Sequence, residues 1–322
     1  MKKEPLLTIC VPTYNRDRML DKCLSRLYDI QQKGYLFRVV VGNNGSFDTT
    51  DQIISYWSKQ FDDFRVINHK HNIGYDRNAG LLYSSVQTKY CWMLGDCDSI
   101  SSEHFGVLLK YLEGDIDALI INTEAVVLGT ELRVYTELKD FLNEQLWHIT
   151  KLSSVIINSR ALKDAIIQRY YDSHYEHVGV LIDYLCSKEQ INVVFNPNIL
   201  LIYLMDDGDY RQKYSGWRHV PFYVWGRCWS QMILSLPFKI PYDLKIKVIK
   251  DHERKYHWFS IKNLIKNKIR FGEPYIKNYK ENRQFVKMVT VASPILSDLV
   301  MYLPIEPIFK ILISLKNRII RH

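Results

Sequence analysis

The chain has 322 residues, 47% of them hydrophobic and 24% charged, which suits one large or two modest globular domains. This composition excludes a disordered tail, a collagen and a disulfide miniprotein. The net charge of +8 is uneven, because residues 245–322 hold 17 basic and 6 acidic residues, which is +11, and residues 1–244 sum to −3. A basic C-terminal segment on a mildly acidic body predicts an anionic surface partner for that segment.

Short apolar, β-prone runs alternate with runs of helical periodicity through residue 122. The predicted strands are Leu6–Val11, Phe37–Val41, Phe64–Asn68, Tyr90–Leu94 and 117–122. The predicted helices between them are 17–33, 49–61, 75–87 and 103–112. This alternation implies an α/β fold with a doubly wound, mostly parallel sheet.

Beyond residue 123 the alternation ends, and we predict a less regular second half. The pattern favours strands in 124–135, helices in 161–171 and 176–188, a strand at 199–204 and a loop at 205–220. From there on it is helical, aromatic and increasingly basic. We therefore predict one domain over 1–220, with halves 1–125 and 126–220, and a helical basic region over 221–322.

The six cysteines form no CxxC pair, so we expect reduced thiols in a cytosolic protein. The apolar stretch that ends at Pro12 is too short for a signal peptide. Charged residues and prolines interrupt every long apolar run, which predicts no transmembrane helix.

Polar clusters follow the first four predicted strands, where ligands bind in an open parallel sheet. They are Pro12-Thr13-Tyr14-Asn15-Arg16, Asn43-Asn44-Gly45-Ser46-Phe47-Asp48, His71-Asn72-Ile73-Gly74-Tyr75-Asp76-Arg77-Asn78 and Gly95-Asp96-Cys97-Asp98. Each cluster alone also fits an ordinary turn or surface helix. Their common order and spacing predict one shared site.

The fourth cluster points to a metal ion. Asp96 and Asp98, one residue apart after a buried strand, suit Mg²⁺ or Mn²⁺, which is held by one or two carboxylates plus substrate phosphates. Such an ion makes a diphosphate a better leaving group. In the other clusters, Asn43 or Asn44 suits a nucleotide base or ribose, and Arg77 suits a phosphate.

Together the sequences PTYNR, NNGSFDTT, NIGYDRNAG and GDCD resemble the family 2 glycosyltransferases with the GT-A fold, over residues 5–125. The resemblance is strongest to the Gly/Ser-Asp-Asp-Asp subset of bacterial O-antigen and capsule transferases, with Cys97 in the middle position. It implies a donor half at 1–125, an acceptor half at 126–220, and inverting transfer of a sugar from a nucleotide diphosphate donor with Mn²⁺ or Mg²⁺.

The resemblance also assigns site residues. The first loop, with Pro12, Thr13, Tyr14 and Arg16, implies a nucleotide contact, and UDP is the expected nucleotide. The chain departs from the family by having Asn43 and Asn44 where two acidic residues are usual. Asp96 and Asp98 map to the metal motif, with Asp98 the first choice as ligand and Asp96 also near the nucleotide. Asp76 and Arg77 complete the nucleotide contacts.

For the base that accepts the acceptor's proton, the resemblance points to Glu176 and His177 at the start of the helix 176–188. A histidine near pKa 6.5 is a competent base, and the adjacent glutamate is an alternative. Asp172 and Asp183 are weaker candidates. A structural reading, with a glutamate at a helix N-terminus and a half-buried histidine, stays open.

In the C-terminal segment, residues 307–321 carry apolar and basic side chains on different sides of a predicted helix. We expect a peripheral position on the inner face of the cell membrane and a saccharide or lipid-linked saccharide acceptor, in bacterial surface polysaccharide synthesis. A core-packing helix is the alternative. A degenerate GT-A binding or scaffold protein is the alternative function. No nucleic-acid motif appears, so no nucleic-acid partner is expected.

Overall fold

The computed structural model describes residues 4–123, 131–163, 166–204 and 220–304. They fall into two compact units. The first holds the described residues up to 204 together with Ser235–Pro241, and the second holds 220–234 and 242–304. The predicted helix at 307–321 and residues 205–219 of the predicted loop at 205–220 lie outside the described residues.

Strands and helices of the first unit follow the predicted alternation through residue 123 and extend beyond it. The strands are β1 Leu7–Thr13, β2 Arg38–Asn43, β3 Phe64–Asn68, β4 Tyr90–Met93, β5 Asp98–Ile100, β6 Ala118–Thr123, β7 Arg133–Tyr135, β8 Val155–Asn158 and β9 Val193–Tyr203. The helices are α1 Asp17–Gln32, α2 Thr50–Trp57, α3 Tyr75–Ser84, α4 Ser102–Leu112, α5 Leu138–Gln145, α6 Arg160–Lys163 and α7 Glu176–Cys186. Short 3₁₀ turns lie at His148–Thr150, Leu152–Ser154 and Ile167–Tyr170.

One mixed sheet joins these strands, in the order β3-β2-β1-β4-β8-β6-β9-β5, with β7 paired to β9. The four strands from β3 to β4 are parallel. Beyond β4 most pairs are antiparallel, apart from the parallel pair of β6 and β9. The predicted fold class, an α/β sheet of GT-A type with a helical C-terminal region, is confirmed.

The sheet and helices α1, α2 and α4 enclose an apolar core. The side chains on one face of α1, such as Leu20, Leu24 and Leu27, are fully buried there against strand residues such as Ile9 and Val39. A fully buried side chain of this type stabilises the folded state by roughly 1.5–3 kcal/mol. This packing fixes the strand ends that carry the polar clusters.

Two predicted elements of the second half differ from the structure. The predicted strand 199–204 is the end of the longer β9, which absorbs the turn-like Asn196-Pro197-Asn198 by a shift in its register with β6. The Asn122 side chain donates to the Pro197 carbonyl at 2.9 Å and holds this irregularity. The predicted helix 161–171 is replaced, in the described residues, by the short α6 and the 3₁₀ turn at Ile167–Tyr170.

The second unit is helical. Its elements are a π-helical segment Phe222–Cys228, then α8 Trp229–Ser235, whose last residue belongs to the first unit, α9 Tyr242–Tyr256, α10 Ile261–Phe271, α11 Glu273–Val289 and α12 Pro294–Tyr302. Aromatic rings fill its centre, with Phe222 stacked on Phe259 at 5.2 Å between ring centroids. Within the described ranges, no helix combines the length and apolar character needed to cross a bilayer.

Candidate functional site

Three of the four polar clusters begin side by side at the carboxyl edge of the parallel strands. The register pairs Pro12 with Gly42, Thr13 with Asn43, and Asn43 with Asn68. Because parallel strands end at the same edge, the loops that follow them share one face of the sheet. The fourth cluster follows β4, which pairs with the other side of β1.

Hydrogen bonds fasten the first loop to the second. The backbone N–H of Asn15 donates to the Ser46 hydroxyl at 2.9 Å, and the N–H of Phe47 donates to the Asn15 side chain at 2.9 Å. Asn15 has a left-handed backbone with φ of 52°, which asparagine tolerates better than most residues. Phe47 is 83% exposed and meets Tyr14 edge to face, with 6.3 Å between centroids.

The two asparagines that replace the usual acidic pair are buried and bonded within the loops. The Asn43 amide donates to Asp51 at 2.8 Å, and its carbonyl accepts from the N–H of Ser46 at 3.1 Å. The Asn44 amide donates to Asn72 at 3.0 Å, and its carbonyl accepts from the N–H of Ile73 at 2.9 Å. Their side chains therefore shape the second and third loops, and the predicted nucleotide contact stays a prediction.

Gly45 allows the second and third loops to approach closely. Its φ is +72°, and an added Cβ would lie 2.4 Å from the carbonyl carbon of His71. Only glycine fits both the left-handed backbone and this contact.

Asp96 contacts two residues of the first loop. Its carboxylate accepts from the Thr13 hydroxyl at 3.0 Å and forms an ion pair with Arg16 at 3.2 Å. Burial raises the pKa of Asp96, while Arg16 and Thr13 act in the opposite direction. The structure thus brings together Thr13, Arg16 and Asp96, as predicted for a shared site.

Asp98 is buried in β5 and bonded to residues from a distant part of the chain. The Lys151 ammonium donates to both carboxylate oxygens, at 2.9 and 2.7 Å, and the Ser153 hydroxyl donates to one of them at 2.5 Å. Burial alone would lower the pKa of Lys151, but the Asp98 carboxylate and other neighbours raise it, so the ammonium stays charged.

This donor set does not suit a divalent ion. A cation bound to the Asp98 carboxylate would lie beside the Lys151 ammonium, and like charges at this separation repel strongly. Cys97 offers sulfur, whereas Mg²⁺ and Mn²⁺ prefer oxygen ligands.

A pair of buried acids joins helices α3 and α7 at their first turns. The Asp76 carboxylate accepts from the backbone N–H of His174 at 3.1 Å, which ties α3 to the loop before α7. Burial raises the pKa of Glu176 well above its usual value, and the neighbouring Asp76 carboxylate adds to this. Burial also raises the pKa of Asp76. Glu176 is therefore protonated more readily than an exposed glutamate.

His177 is buried next to the chain that carries Lys151. Its Nε2 lies 2.9 Å from the Ile149 carbonyl, which only accepts, so Nε2 carries the proton. Nδ1 is then the unprotonated nitrogen, and it has no hydrogen-bond partner in the part of the chain that is described. Burial lowers the pKa of His177 to about 4, so the ring is neutral at pH 7.

Three other predicted residues pair near the surface. Arg77 forms an ion pair with the exposed Asp172 at 3.0 Å, and it lies over the Tyr171 ring. Asp183, in the later part of α7, pairs with Arg169 at 3.3 Å. Exposed pairs of this kind contribute little to stability.

Sequence reasoning missed Lys151 and Ser153. They lie outside every polar cluster, about 50 residues after the fourth one, and no local spacing links them to Asp98. The useful signal in the sequence is the apolar run that forms β8 directly after these two residues. Strand β8 pairs with β4 and so brings Lys151 and Ser153 to the end of β4. Phe47 belongs to the second cluster, and nothing in the sequence indicates that it is exposed beside Tyr14.

Comparison with known proteins supports the predicted resemblance to the glycosyltransferases of GT-A fold. Residues 8–162 match the family model described as glycosyl transferase family 2. The match covers a little under half of the 322 residues, and it confirms over those residues the resemblance that the four loops predicted.

Two curated relatives and two solved structures give the range of similarity. An abequosyltransferase, RfbV, of Salmonella typhimurium is 28% identical over 114 residues, 35% of this chain and 34% of the relative. A dolichyl-phosphate beta-glucosyltransferase, ALG5A, of Trichomonas vaginalis is 28% identical over 162 residues, 46% of this chain and 48% of the relative. The matched part of the chain thus spans about a third to a half of these relatives.

The solved structures are similar in fold. TarS of S. aureus in complex with UDP-GlcNAc aligns with a TM-score of 0.61 at 16% identity, over 88% of this chain and 81% of the TarS chain. The mannosyltransferase PcManGT of Pyrobaculum calidifontis, solved with GDP-Man and Mn²⁺, aligns with a TM-score of 0.53 at 12% identity, over 93% and 79% of the two chains.

Proposed function

We propose that the chain transfers a sugar from a nucleoside-diphosphate sugar to a saccharide hydroxyl, with inversion at the anomeric carbon. The observation that carries this proposal is the set of loops joined at the carboxyl edge of the parallel strands, with Arg16 and Asp96 between them. The family match adds the reaction class. The family resemblance makes UDP the nucleotide that we propose first, although Asn43 and Asn44 stand where the family has two acidic residues.

The donor is proposed to lie over the first and fourth loops. Tyr14 and the exposed Phe47 offer aromatic surface for a base, and Arg16 offers guanidinium donors for phosphate oxygens. Pro12 and Thr13 form the strand end beneath. The loops are held by the internal bonds of Asn43 and Asn44, so the nucleotide would find a largely preformed surface.

We propose His177 as the base and Glu176 as its neighbour in a positioning role. The acceptor oxygen bonds to the anomeric carbon as the bond from that carbon to the diphosphate breaks, and the hydroxyl proton passes to Nδ1 of His177. The neutral ring with its free Nδ1 lone pair supports this choice. The raised pKa of Glu176 supports a protonated carboxyl, which cannot act as a base.

A membrane-bound acceptor is proposed from the second unit. Helix α12 buries Ser297, Val300 and Met301, yet its other side is also apolar and exposed. The exposed apolar face consists of Val291, Ile295, Leu296, Leu299, Tyr302 and Leu303. A helix of a water-soluble protein normally places polar side chains there.

Basic side chains border the exposed apolar face. Lys280 lies over the Tyr302 ring at 5.9 Å, and Arg283 and Lys287 approach Asp298 of α12. Apolar contact together with positive charge suits an anionic bilayer. We therefore propose a peripheral position on the cytoplasmic face of the membrane and a lipid-linked saccharide acceptor in bacterial surface polysaccharide synthesis. The abequosyltransferase relative is compatible with this role.

The function is tested by isothermal titration of the full chain with UDP, GDP, CDP and dTDP, followed by turnover with the matching sugar nucleotides. We expect one nucleoside diphosphate to bind at least roughly tenfold more tightly than the others, because one base-specific hydrogen bond or stack accounts for about that factor. Arg16→Gln should weaken that binding, and Arg26→Gln, at an exposed pair on α1, should not.

Two results would count against the proposal. Absence of binding for all four diphosphates contradicts a nucleotide-sugar donor. Binding of a sugar nucleotide without turnover on any lipid-linked or free saccharide favours the degenerate binding protein instead.

A further inference from the structure

We infer that Lys151 and Arg16 supply the positive charge that faces a bound diphosphate, and that the chain binds a nucleoside diphosphate without a divalent ion. This inference rests on the proposed function, and it names the groups that recognise the donor. It replaces the metal role that the sequence pattern predicts for Asp96 and Asp98.

The carboxylate of Asp98 already has a cation. Lys151 contacts both of its oxygens, and Ser153 contacts one of them, so the bidentate position of the carboxylate is filled. A metal ion would have to displace the Lys151 ammonium from a buried carboxylate, and breaking such a pair is strongly unfavourable. The donor set therefore favours a protein cation over a metal at this point.

Lys151 is held in place from two sides. Its ammonium lies 4.8 Å from the centre of the Tyr203 ring, and Tyr203 pairs with Asp98 between β9 and β5. The side chain is still 23% exposed, so an anion can approach it. An ammonium has three donor hydrogens, and two contacts to Asp98 leave one for a phosphate oxygen.

Arg16 provides the second cation. One Nη pairs with Asp96, and the guanidinium also bonds the Cys97 sulfur, while Nε and the other Nη have no oxygen or nitrogen partner in the described residues. A guanidinium with two such nitrogens matches the geometry of a phosphate group. Lys151 and Arg16 thus resemble each other, since each is fixed by one carboxylate and has more N–H groups than that carboxylate uses.

The chain contains a matched control pair. Lys188 contacts the buried Asp117 at 2.6 Å, just before β6, with a side chain about as exposed as that of Lys151. Asp117 also accepts from the backbone N–H of Asn192, so this pair serves to connect β6 and β9. Removal of either lysine leaves a buried carboxylate unpaired, but only Lys151 lies beside the fourth loop.

The experiment is calorimetric titration of the full chain with UDP and with inorganic pyrophosphate, in EDTA and in Mn²⁺. We expect wild-type affinity to be the same in both media. Lys151→Ala should weaken both ligands by roughly tenfold or more in EDTA, the loss typical of one charge-assisted hydrogen bond. Mn²⁺ should restore part of this loss, because the Asp98 carboxylate is then free. Lys188→Ala should bind as the wild type does.

A second variant tests whether the loss of affinity in Lys151→Ala comes from misfolding. Lys151→Met combined with Asp98→Asn removes both charges, so no buried carboxylate is left unpaired. We expect it to keep the wild-type melting temperature, to bind as weakly as Lys151→Ala in EDTA, and to gain nothing from Mn²⁺.

Different failures have different meanings. Wild-type binding that requires Mn²⁺, wild-type affinity in either Lys151 variant, or equal losses in Lys151→Ala and Lys188→Ala overturns the inference and leaves the proposed function standing. No binding of UDP or pyrophosphate in either medium overturns the inference together with a UDP-sugar donor.

Discussion

At the scale of single residues, burial gives the adjacent side chains of Glu176 and His177 different abilities to accept a proton. Glu176 and His177 both begin helix α7 and are both buried, but burial disfavours the charged form of each. The glutamate therefore tends to be protonated, whereas the histidine tends to be neutral with a free nitrogen. Burial thus favours the neutral form of both residues. The neutral histidine can still accept a proton, whereas the neutral glutamic acid cannot act as a base.

The pH dependence of turnover distinguishes them. A base works only when deprotonated, so a lowered pKa extends activity to lower pH and a raised pKa restricts it to higher pH. With His177 as the base, we expect kcat to stay level from pH 8 down to roughly pH 5 and to fall toward the pKa of about 4.

The matching variants are His177→Gln and Glu176→Gln. The glutamine amide can still donate to the Ile149 carbonyl, so His177→Gln should keep the fold and lower kcat by roughly 10²–10⁴-fold. Glu176→Gln should lower it far less. A kcat that declines below neutral pH and is lost in Glu176→Gln would instead identify the glutamate as the base.

At the scale of elements, helix α7 is positioned by contact with a short turn rather than by its own sequence. Gly179 lies against the ring of Tyr170 in the 3₁₀ turn Ile167–Tyr170, and an added Cβ would be 2.4 Å from a ring carbon. Because Gly179 is one turn from Glu176 and His177, this contact sets where the first turn of α7 lies.

We predict that Gly179→Ala separates α7 from the turn. Overpacking of a buried contact costs about 1–3 kcal/mol, more than the roughly 1 kcal/mol that alanine gains in helix propensity. Denaturant unfolding should show a lower stability, and kcat should fall with it. Gly226→Ala is the control, since its Cβ would meet Val286 at an ordinary 3.6 Å. Equal stability of Gly179→Ala and the wild type would show that the Tyr170 ring moves aside without an energetic cost.

At the scale of the whole molecule, charge and exposed apolar surface are segregated along the chain. Residues 1–244 are slightly acidic and carry the candidate active site, whereas the remainder is strongly basic. The second unit also carries the exposed apolar face of α12. This division is what the proposed membrane position and the proposed sugar transfer lead us to expect, because binding to a surface and transfer of a sugar make different demands on side chains.

Vesicle co-sedimentation of the full chain tests whether the basic charge and the exposed apolar face bind a membrane surface. We expect binding to vesicles that contain phosphatidylglycerol, weaker binding to phosphatidylcholine alone, and loss with salt. Ile295→Gln with Leu299→Gln should weaken binding by roughly tenfold or more, since burial of each side chain contributes about 1.5–3 kcal/mol.

Ile166→Gln is the control, because Ile166 and Ile295 are both 70% exposed but Ile166 belongs to the first unit. Sedimentation of the double variant at the wild-type level would remove the exposed apolar face from the proposed interface.

The sequence by itself determined the parallel half of the sheet and the position of its loops. Strands such as Phe64–Asn68 and helices such as α1 follow from local periodicity, which acts over a few residues. It also placed Thr13, Arg16 and Asp96 in one site, because parallel strands end at one edge. The family class followed from those same loops.

Only the tertiary structure decided what those residues contact. Lys151 reaches Asp98 across 53 positions of sequence, and Asn43 and Asn44 turn inward to bond the loops. The ionisation of His177 and Glu176 likewise depends on burial, which no local pattern records. Periodicity specifies which side of an element is apolar, but contacts between distant segments, and the charges that they stabilise, arise only when the chain packs.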